Sequence, residues 1–197
     1  NVGVGCSAAT SLTGGSQTTA IGFHAGKAIT TGSRHTILGA YAARSITTAN
    51  DTTAVGYNAL RDNTSGTANS ALGDSCLYAN TTGANNTAVG HEALMANTTA
   101  SNNTAVGYNA LTANTTASFN TAVGRNALDA NTTGAENTSV GANALTSNVS
   151  GNYNVAMGVN ALEDNTASHC TAVGYKALSE NTTGNANTSV GLRALDL

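Results

Sequence analysis

The pattern of apolar and polar residues along this chain repeats with a period of 17 residues. A glycine marks each repeat, and the residue before it is always apolar, as Val106 is before Gly107. The residue two places before the glycine is nearly always small, and the one three places before is mostly threonine. This Thr-Ala-Val alternation predicts a short strand with two different faces. We expect the small residues to approach an opposite wall across a thin interior, and Val and Thr to face a roomier layer.

The marking glycines extend over the whole chain. They are Gly5, Gly22, Gly39, Gly56, Gly73, Gly90, Gly107, Gly124, Gly141, Gly158, Gly174 and Gly191. Their spacing is constant except between Gly158 and Gly174, where the repeat is one residue shorter. We expect the missing residue to tighten a corner near 167–170 without interrupting the stack. A short, fixed period over the whole length is typical of one supersecondary unit that stacks on copies of itself.

The second half of each repeat has fixed positions of its own. From the fourth repeat onward a leucine such as Leu111 follows the glycine by four places, and an asparagine such as Asn114 usually follows it by seven. Asn and Gly tolerate left-handed backbone, so these positions are predicted to be corners. Stacked Asn side chains are also expected to form amide ladders. The repeat therefore predicts two short strands and two corners per coil, in an all-β parallel β-roll (a β-solenoid) of twelve coils with about 17 residues each.

The first three repeats differ from the others. Their corner Asn is replaced by Leu12, Ile29 and Ile46, and their leucine is replaced by a smaller residue. We therefore divide the solenoid into N-terminal variant coils over residues 1–49 and regular coils over residues 50–197. A capping zone or a junction with a preceding domain would account for the variant coils.

Charged residues are few, and all seventeen avoid the Thr-Ala-Val-Gly strand and the Ala-Leu pair. One face of the repeat is therefore expected to meet solvent while another is buried. The net charge of −3 is too small to indicate a nucleic acid partner, and no apolar stretch is long enough for membrane insertion. The three cysteines lie at least four repeats apart, too far for a disulfide within the chain. Because the chain begins at Asn1 without an initiator Met, at the Asn position that opens a repeat, we expect it to be a segment of a longer protein.

No pattern of residues indicates catalysis. The four histidines occupy four different positions of the repeat: His24, His35, His91 and His169. No acid, His or Ser constellation converges on a concave site, and the calcium-binding Gly-x-Gly-x-Asp repeat is missing. We therefore expect no enzyme activity, and no catalytic, cofactor-binding or metal-binding residue.

Two surface features suggest binding. Tyr57, Tyr108 and Tyr175 share the position after the glycine and are weak candidates for stacking on sugars, although ordinary variable surface is the alternative. Paired threonines such as Thr81 and Thr82 suggest ice or surface binding. Neighbouring residues beside a turn point in different directions, however, so these pairs are not expected to form the flat hydroxyl array that such binding needs.

The thin core predicts self-association. A coil with so few large side chains leaves one apolar strip under-covered on every turn. Closed symmetry with other copies of the chain would bury that strip along its whole length. A parallel trimer is the natural arrangement for such a rod, although the period itself does not fix the number three.

The repeated phrase resembles two groups of surface proteins. Repeated T-A-V-G or T-S-V-G followed by A-L is similar to the head repeats of trimeric autotransporter adhesins (YadA-like). The stretch NTAVGYNALTANTTASFNTAVG at 103–124 more closely resembles repeats in long fibre proteins of tailed phages. The resemblance covers essentially the whole chain, most strongly 50–195, and implies a homotrimeric parallel β-roll in the shaft or head of an attachment fibre. The adhesin repeats are shorter than those of this chain, and no chaperone domain or receptor-binding tip is matched.

These observations predict a structural segment of a trimeric attachment fibre, most simply a phage tail fibre that presents a host-binding tip. The alternative is a bacterial surface adhesin whose roll binds host or matrix directly, and a third is an ice- or surface-binding solenoid. The expected partners are other copies of the chain, neighbouring fibre domains or proteins, and a host-surface glycan or protein. The expected location is a virion tail fibre or an extracellular appendage. The repeat glycines, Val106, Leu111 and Asn114 are expected to carry the fold.

Overall fold

The computed structural model describes residues 1–196 and contains, within them, one sheet of twelve parallel strands stacked in chain order. The strands are β1 (Val2–Val4), β2 (Thr18–Ile21), β3 (His35–Leu38), β4 (Thr52–Val55), β5 (Ser70–Leu72), β6 (Thr87–Val89), β7 (Thr104–Val106), β8 (Thr121–Val123), β9 (Thr138–Val140), β10 (Val155–Met157), β11 (Thr171–Val173) and β12 (Thr188–Val190). Residues 1–196 form no helix long and apolar enough to cross a membrane.

Equivalent residues of successive repeats pair with each other along the sheet. Between β7 and β8, for example, Thr104, Ala105 and Val106 pair with Thr121, Ala122 and Val123. The prediction of an all-β parallel β-solenoid is thereby confirmed. Twelve strands enclose eleven complete turns, one between each pair of neighbouring strands. The twelfth expected coil is the repeat that begins at β12, and no further described coil stacks on it.

Each coil contains one strand rather than the expected two. On the wall opposite the strand, Asn109 (φ 53°) and Leu111 (φ 55°) are left-handed, and their equivalents in the other regular coils are left-handed too. Backbone hydrogen bonds still join the coils there: the Asn109 amide donates to His91 and the Leu111 amide donates to Ala127. The two-strand prediction is wrong because the positive φ of Asn109 and Leu111 excludes β conformation there, and this backbone buries the adjacent side chains of Ala110 and Leu111.

The core lies between the strand and this opposite wall. Ala105 points inward from the strand, and Ala110 and Leu111 point inward from the wall; none of the three is exposed to solvent. The stacked leucines supply most of the apolar volume, and the alanines allow the two walls to approach each other. The alanine face of the strand therefore lines a thin interior, as the repeat predicts. The Val and Thr face points outward and is partly exposed: Thr104 and Val106 are half-buried, whereas Ala105 between them is buried.

The first turns fill the same interior with different side chains. Ile29, Ile37 and Ile46 are buried there, and Leu12 packs against the core from a partly exposed position. In this region isoleucine occupies the corner that Asn63 occupies in the next coil. Strands β3, β4 and β5 pair in register across the change, so the sheet runs continuously past residue 49.

The shortened repeat tightens one corner and leaves the sheet intact. Asn148 donates its side-chain amide to Gly151, three residues on, whereas Asn165 donates to Ala167, two residues on. Strands β10 and β11 remain paired, Val155 with Thr171. The stack is therefore unbroken, as expected, but the tightening begins at Asn165, ahead of the 167–170 stretch where we expect it.

Candidate functional site

The repeat glycines sit where two coils touch. Gly124 has a φ of +140°, and a Cβ on it would lie 2.4 Å from the carbonyl oxygen of Gly141 in the next coil. The other repeat glycines from Gly5 to Gly174 show the same approach, between 2.2 and 2.6 Å. Gly191 differs in its surroundings. Its φ is also positive, at +131°, but the atom nearest to an added Cβ is the Cβ of Ala194, 3.7 Å away. Glycine is therefore needed both for backbone conformation and for close stacking.

The corner asparagines form the amide ladder that the repeat predicts. Asn114 donates its side-chain amide to the Oδ1 of Asn97 (3.0 Å) and to the carbonyl of Ala117 (3.0 Å), and accepts from Asn131 (3.2 Å). These side chains are fully buried. Buried amides with several partners stabilise the corner because leaving one unpaired is costly. The ladder is interrupted at the shortened corner, where the Oδ1 of Asn148 accepts no hydrogen bond.

A second column of asparagines stands just before the strands. Asn103 accepts a hydrogen bond from the backbone of Asn120 (2.9 Å) and donates to the carbonyl of Ala117 (3.0 Å). Asn114 and Asn103 therefore both donate to the carbonyl of Ala117, and Asn103 also bonds the backbone of the next coil at Asn120. The repeat pattern alone does not indicate that this Asn bonds between coils.

The paired threonines divide their roles, as expected from their neighbouring positions. Thr81 donates its hydroxyl to the carbonyl of Thr98 in the next coil (3.0 Å), while Thr82 is exposed. Thr98 makes the same bond to Thr115 (3.1 Å). One hydroxyl of each pair is therefore used within the solenoid, and the pairs do not form a flat hydroxyl face.

The outward face of the sheet carries partly exposed apolar side chains from β1 to β12. One column consists of the aliphatic residues that precede the glycines, among them Leu72, 51% exposed, and Met157, 45% exposed. The parallel column beside it is mostly threonine, such as Thr104 and Thr121. No charged residue occurs in either column. We call these two columns the strand face.

The three candidate tyrosines are all exposed, but their surroundings differ. Tyr57 lies beside Tyr41, with ring centroids 6.1 Å apart, and lines a surface cavity of about 380 Å³. Tyr108 stacks on His91, with centroids 5.3 Å apart. Tyr175 has no aromatic neighbour among the residues that the structure describes. The shared position therefore places only Tyr57 in a concave, aromatic setting.

Two buried titratable residues have shifted pKa values. Burial raises the pKa of the Cys76 thiol to about 11, so it behaves as a small apolar side chain that takes the place of alanine. Burial, and to a lesser extent Arg34, lowers the pKa of His35, partly offset by Asp51 and by the backbone of Ala49 and Gly32. Neither ring nitrogen of His35 has a hydrogen-bond partner of good geometry. Both groups are explained by packing in the core.

Within residues 1–196 there is no cluster of three or more His, Cys, Asp or Glu residues that could hold a metal ion. The three cysteines are unpaired there: Cys6 is exposed, and Cys76 and Cys170 are buried. A comparison with known protein families finds no family that matches this chain, and comparisons with curated proteins and with solved structures find no match either. Any functional inference therefore rests on the surfaces of the solenoid itself.

Proposed function

We propose that this chain is a structural segment of a trimeric attachment fibre, in which three copies run in parallel and cover one another's strand faces. The segment would serve as shaft or head of the fibre, most simply a phage tail fibre with a host-binding tip. It would act as a spacer and carry out no reaction. A bacterial surface appendage built on the same roll is the alternative setting.

The observation that carries this proposal is the strand face. It runs the full height of the described stack, lacks charge, and leaves every aliphatic side chain of its column at least partly exposed, such as half-buried Val106 and Leu72, 51% exposed. A contiguous apolar surface of this kind is typical of a protein interface rather than of a solvated surface. Because equivalent residues recur at one strand spacing, about 4.8 Å, a parallel copy would meet the same residues turn after turn.

The homotypic contact can be tested with cysteine cross-linking. In a Cys6→Ser background, Val106→Cys places one thiol on the strand face, while the native Cys76 and Cys170 remain buried. In a parallel assembly Val106 lies at the same height in each copy, so oxidation should give a covalent dimer on a non-reducing gel. The matched control Thr116→Cys is exposed on another side of the coil and should stay monomeric on the gel. Equal cross-linking of both variants, or of neither, would contradict the parallel interface.

One observation favours a second function. The side-chain hydroxyls of strand-face threonines such as Thr104 donate no hydrogen bond to the residues that the structure describes, so a regular column of hydroxyls and methyl groups lies beside the aliphatic column. A flat, regular array of this kind suits binding to an ordered surface such as ice. Thermal hysteresis by the monomeric chain, lost in Thr104→Lys but kept in Thr116→Lys, would support that function over the fibre.

A further inference from the structure

A column of basic side chains stands on the early coils, away from the strand face. Lys27, Arg44 and Arg61 each follow their repeat glycine by five places, in three consecutive turns. They are therefore stacked at about one strand spacing, 4.8 Å. These are three of the seven Lys and Arg residues of a chain whose net charge is −3. Positive charge is therefore concentrated on these three turns, although the chain as a whole is negatively charged.

The charges of this column are only partly neutralised. Arg61 forms an ion pair with Asp62, whose Oδ1 lies 3.8 Å from Nε, without a hydrogen bond between them. Lys27 and Arg44 make no ion pair with any described residue. By contrast, Arg34 on another side of the coil bonds Asp51 through two nitrogens. Stacked like charges repel each other, and an anion bound between them would remove that repulsion.

Aromatic rings flank the basic column. The Tyr41 ring lies 5.2 Å from Phe23 and 6.1 Å from Tyr57, edge to face in both cases. The Arg44 guanidinium lies 5.9 Å from the centre of the Tyr41 ring. Arg61 lies over Tyr78 at 5.0 Å and donates to its hydroxyl. These cation–π contacts hold both guanidinium groups against the surface, which reduces the side-chain entropy lost when they bind a ligand.

Two concave surfaces border the column. One cavity of about 380 Å³ is lined by His24, Tyr41, Arg44, Tyr57, Asn58 and Arg61. A second cavity of about 370 Å³ lies next to it and is lined by Ser11, Lys27, Ala28, Arg44 and Ser45. Arg44 lines both, so the two cavities lie on either side of one basic side chain and follow the basic column; together we call them the groove. Neither lining contains a carboxylate.

We propose that this groove binds a short acidic saccharide, with its carboxylate or sulfate groups on Arg44, Arg61 and Lys27 and a sugar ring against Tyr57 or Tyr41. Guanidinium groups pair with carboxylates and sulfates through two parallel hydrogen bonds. Aromatic rings offer the apolar face that the C–H side of a sugar ring requires. The neutral imidazole of His24, whose pKa is lowered by desolvation and by Lys27 and Arg44, and the Asn58 amide can bond sugar hydroxyls.

The extent of the groove favours a saccharide over a nucleic acid. The basic column covers only three turns and ends at Tyr78, which follows Arg61 in the same column. Of the seven later members of the column, none is basic and three are acidic, namely Asp129, Glu163 and Asp196. A long polyanion lying along the rod would therefore gain no cation from the column beyond the groove and would meet these carboxylates instead. The proposal concerns the surface of one chain, so it goes beyond the fibre proposal and does not depend on a trimer.

Titration calorimetry with defined probes tests this site. We expect the chain to bind a sulfated heparin tetrasaccharide or sialyllactose, with affinity that falls as salt is raised, and not to bind neutral lactose. The double variant Arg44→Gln/Arg61→Gln should bind at least about tenfold more weakly, because it removes two charge-assisted contacts. The stronger of the two acidic probes identifies whether sulfate or carboxylate is preferred. Circular dichroism of the variant checks that the solenoid is retained.

The matched control is Lys176→Gln/Arg125→Gln, which removes the same charge from two positions outside the groove, Arg125 exposed and Lys176 partly exposed. It should bind like the unmodified chain. The proposal is overturned if neither acidic probe binds at millimolar concentration, or if the two double variants bind equally. It is overturned as well if a single-stranded oligothymidylate competes equally with the saccharide, because that would indicate a general polyanion surface. None of these results bears on whether the chain forms trimers.

Discussion

Substitution of a single repeat glycine tests how closely the coils stack. In Gly124→Ala, the new Cβ would lie 2.4 Å from the Gly141 carbonyl oxygen and 2.6 Å from its carbonyl carbon. Ordinary van der Waals contacts of a Cβ lie at 3.4–4 Å, so the next coil must move. The backbone adds a second penalty, because a φ of +140° is open to glycine and strained for alanine.

The two penalties can be separated with a matched variant. Gly191→Ala introduces the same strain at a φ of +131°, but its Cβ meets nothing closer than 3.7 Å. Strain alone costs about 1–3 kcal/mol. Overpacking adds about 1–3 kcal/mol where neighbours cannot yield. Gly124→Ala should therefore lower the free energy of unfolding by about 2–6 kcal/mol in all, and Gly191→Ala by the strain alone.

Urea unfolding followed by circular dichroism gives both free energies. The variants are compared at one protein concentration, because the stability of an oligomer depends on concentration. Arg125→Ala, beside the glycine but exposed, should change stability by no more than about 0.5 kcal/mol. Equal losses in Gly124→Ala and Gly191→Ala would refute the close stacking, since only the first has a coil to collide with.

The interior of the solenoid gives three further predictions. Leu111→Ala should cost about 2–5 kcal/mol in urea unfolding, because the side chain is fully buried; a loss below about 1 kcal/mol would contradict the core assignment. Asn114→Ala should lower the free energy of unfolding by about 1–3 kcal/mol, because it leaves the neighbouring Asn side chains of the ladder without a partner. The exposed control Thr116→Ala should leave the free energy of unfolding unchanged, and similar losses in the two variants would refute the ladder. Stability should fall as pH drops below about 6.5, because unfolded His35 takes up a proton that the buried ring resists. His35→Thr, the residue found at this position in the adjacent coils, should flatten that slope between pH 8 and pH 5, and an unchanged slope would show that His35 is not responsible.

The strand half of the repeat was predictable because its signal is local. Alternation of Thr104, Ala105 and Val106 specifies which side chains face inward, and the period of the glycines places each strand on the one before it. The amide ladder follows from the same period, since Asn114 must stack on Asn97. These inferences need only the spacing of residues and the geometry of a parallel sheet.

The opposite wall was mispredicted because its backbone is not a standard element. Ala110 and Leu111 are adjacent and both buried, which a β-strand covered on one face only does not permit. That adjacency is visible in the sequence and is the signal that could have indicated alternating left-handed residues. Leucine rarely adopts this conformation, and here the hydrogen bonds between coils hold it in place.

The basic groove was only partly predictable. The sequence shows that Lys27, Arg44 and Arg61 share one position of the repeat, and the solenoid period alone stacks them. It does not show that Tyr41 and Tyr57, from two different positions of the repeat, come together beside that column. Their proximity depends on how the chain turns after the glycine, which the left-handed residues determine.

The solution mass of the chain, measured by light scattering, tests the proposed assembly most directly. Three copies that cover one another's strand faces predict a mass near three times 19.4 kDa, unchanged over a wide range of protein concentration. A stable mass of 19.4 kDa would contradict the trimeric fibre. It would mean that the solenoid tolerates its exposed apolar strand face in water and functions as a single chain.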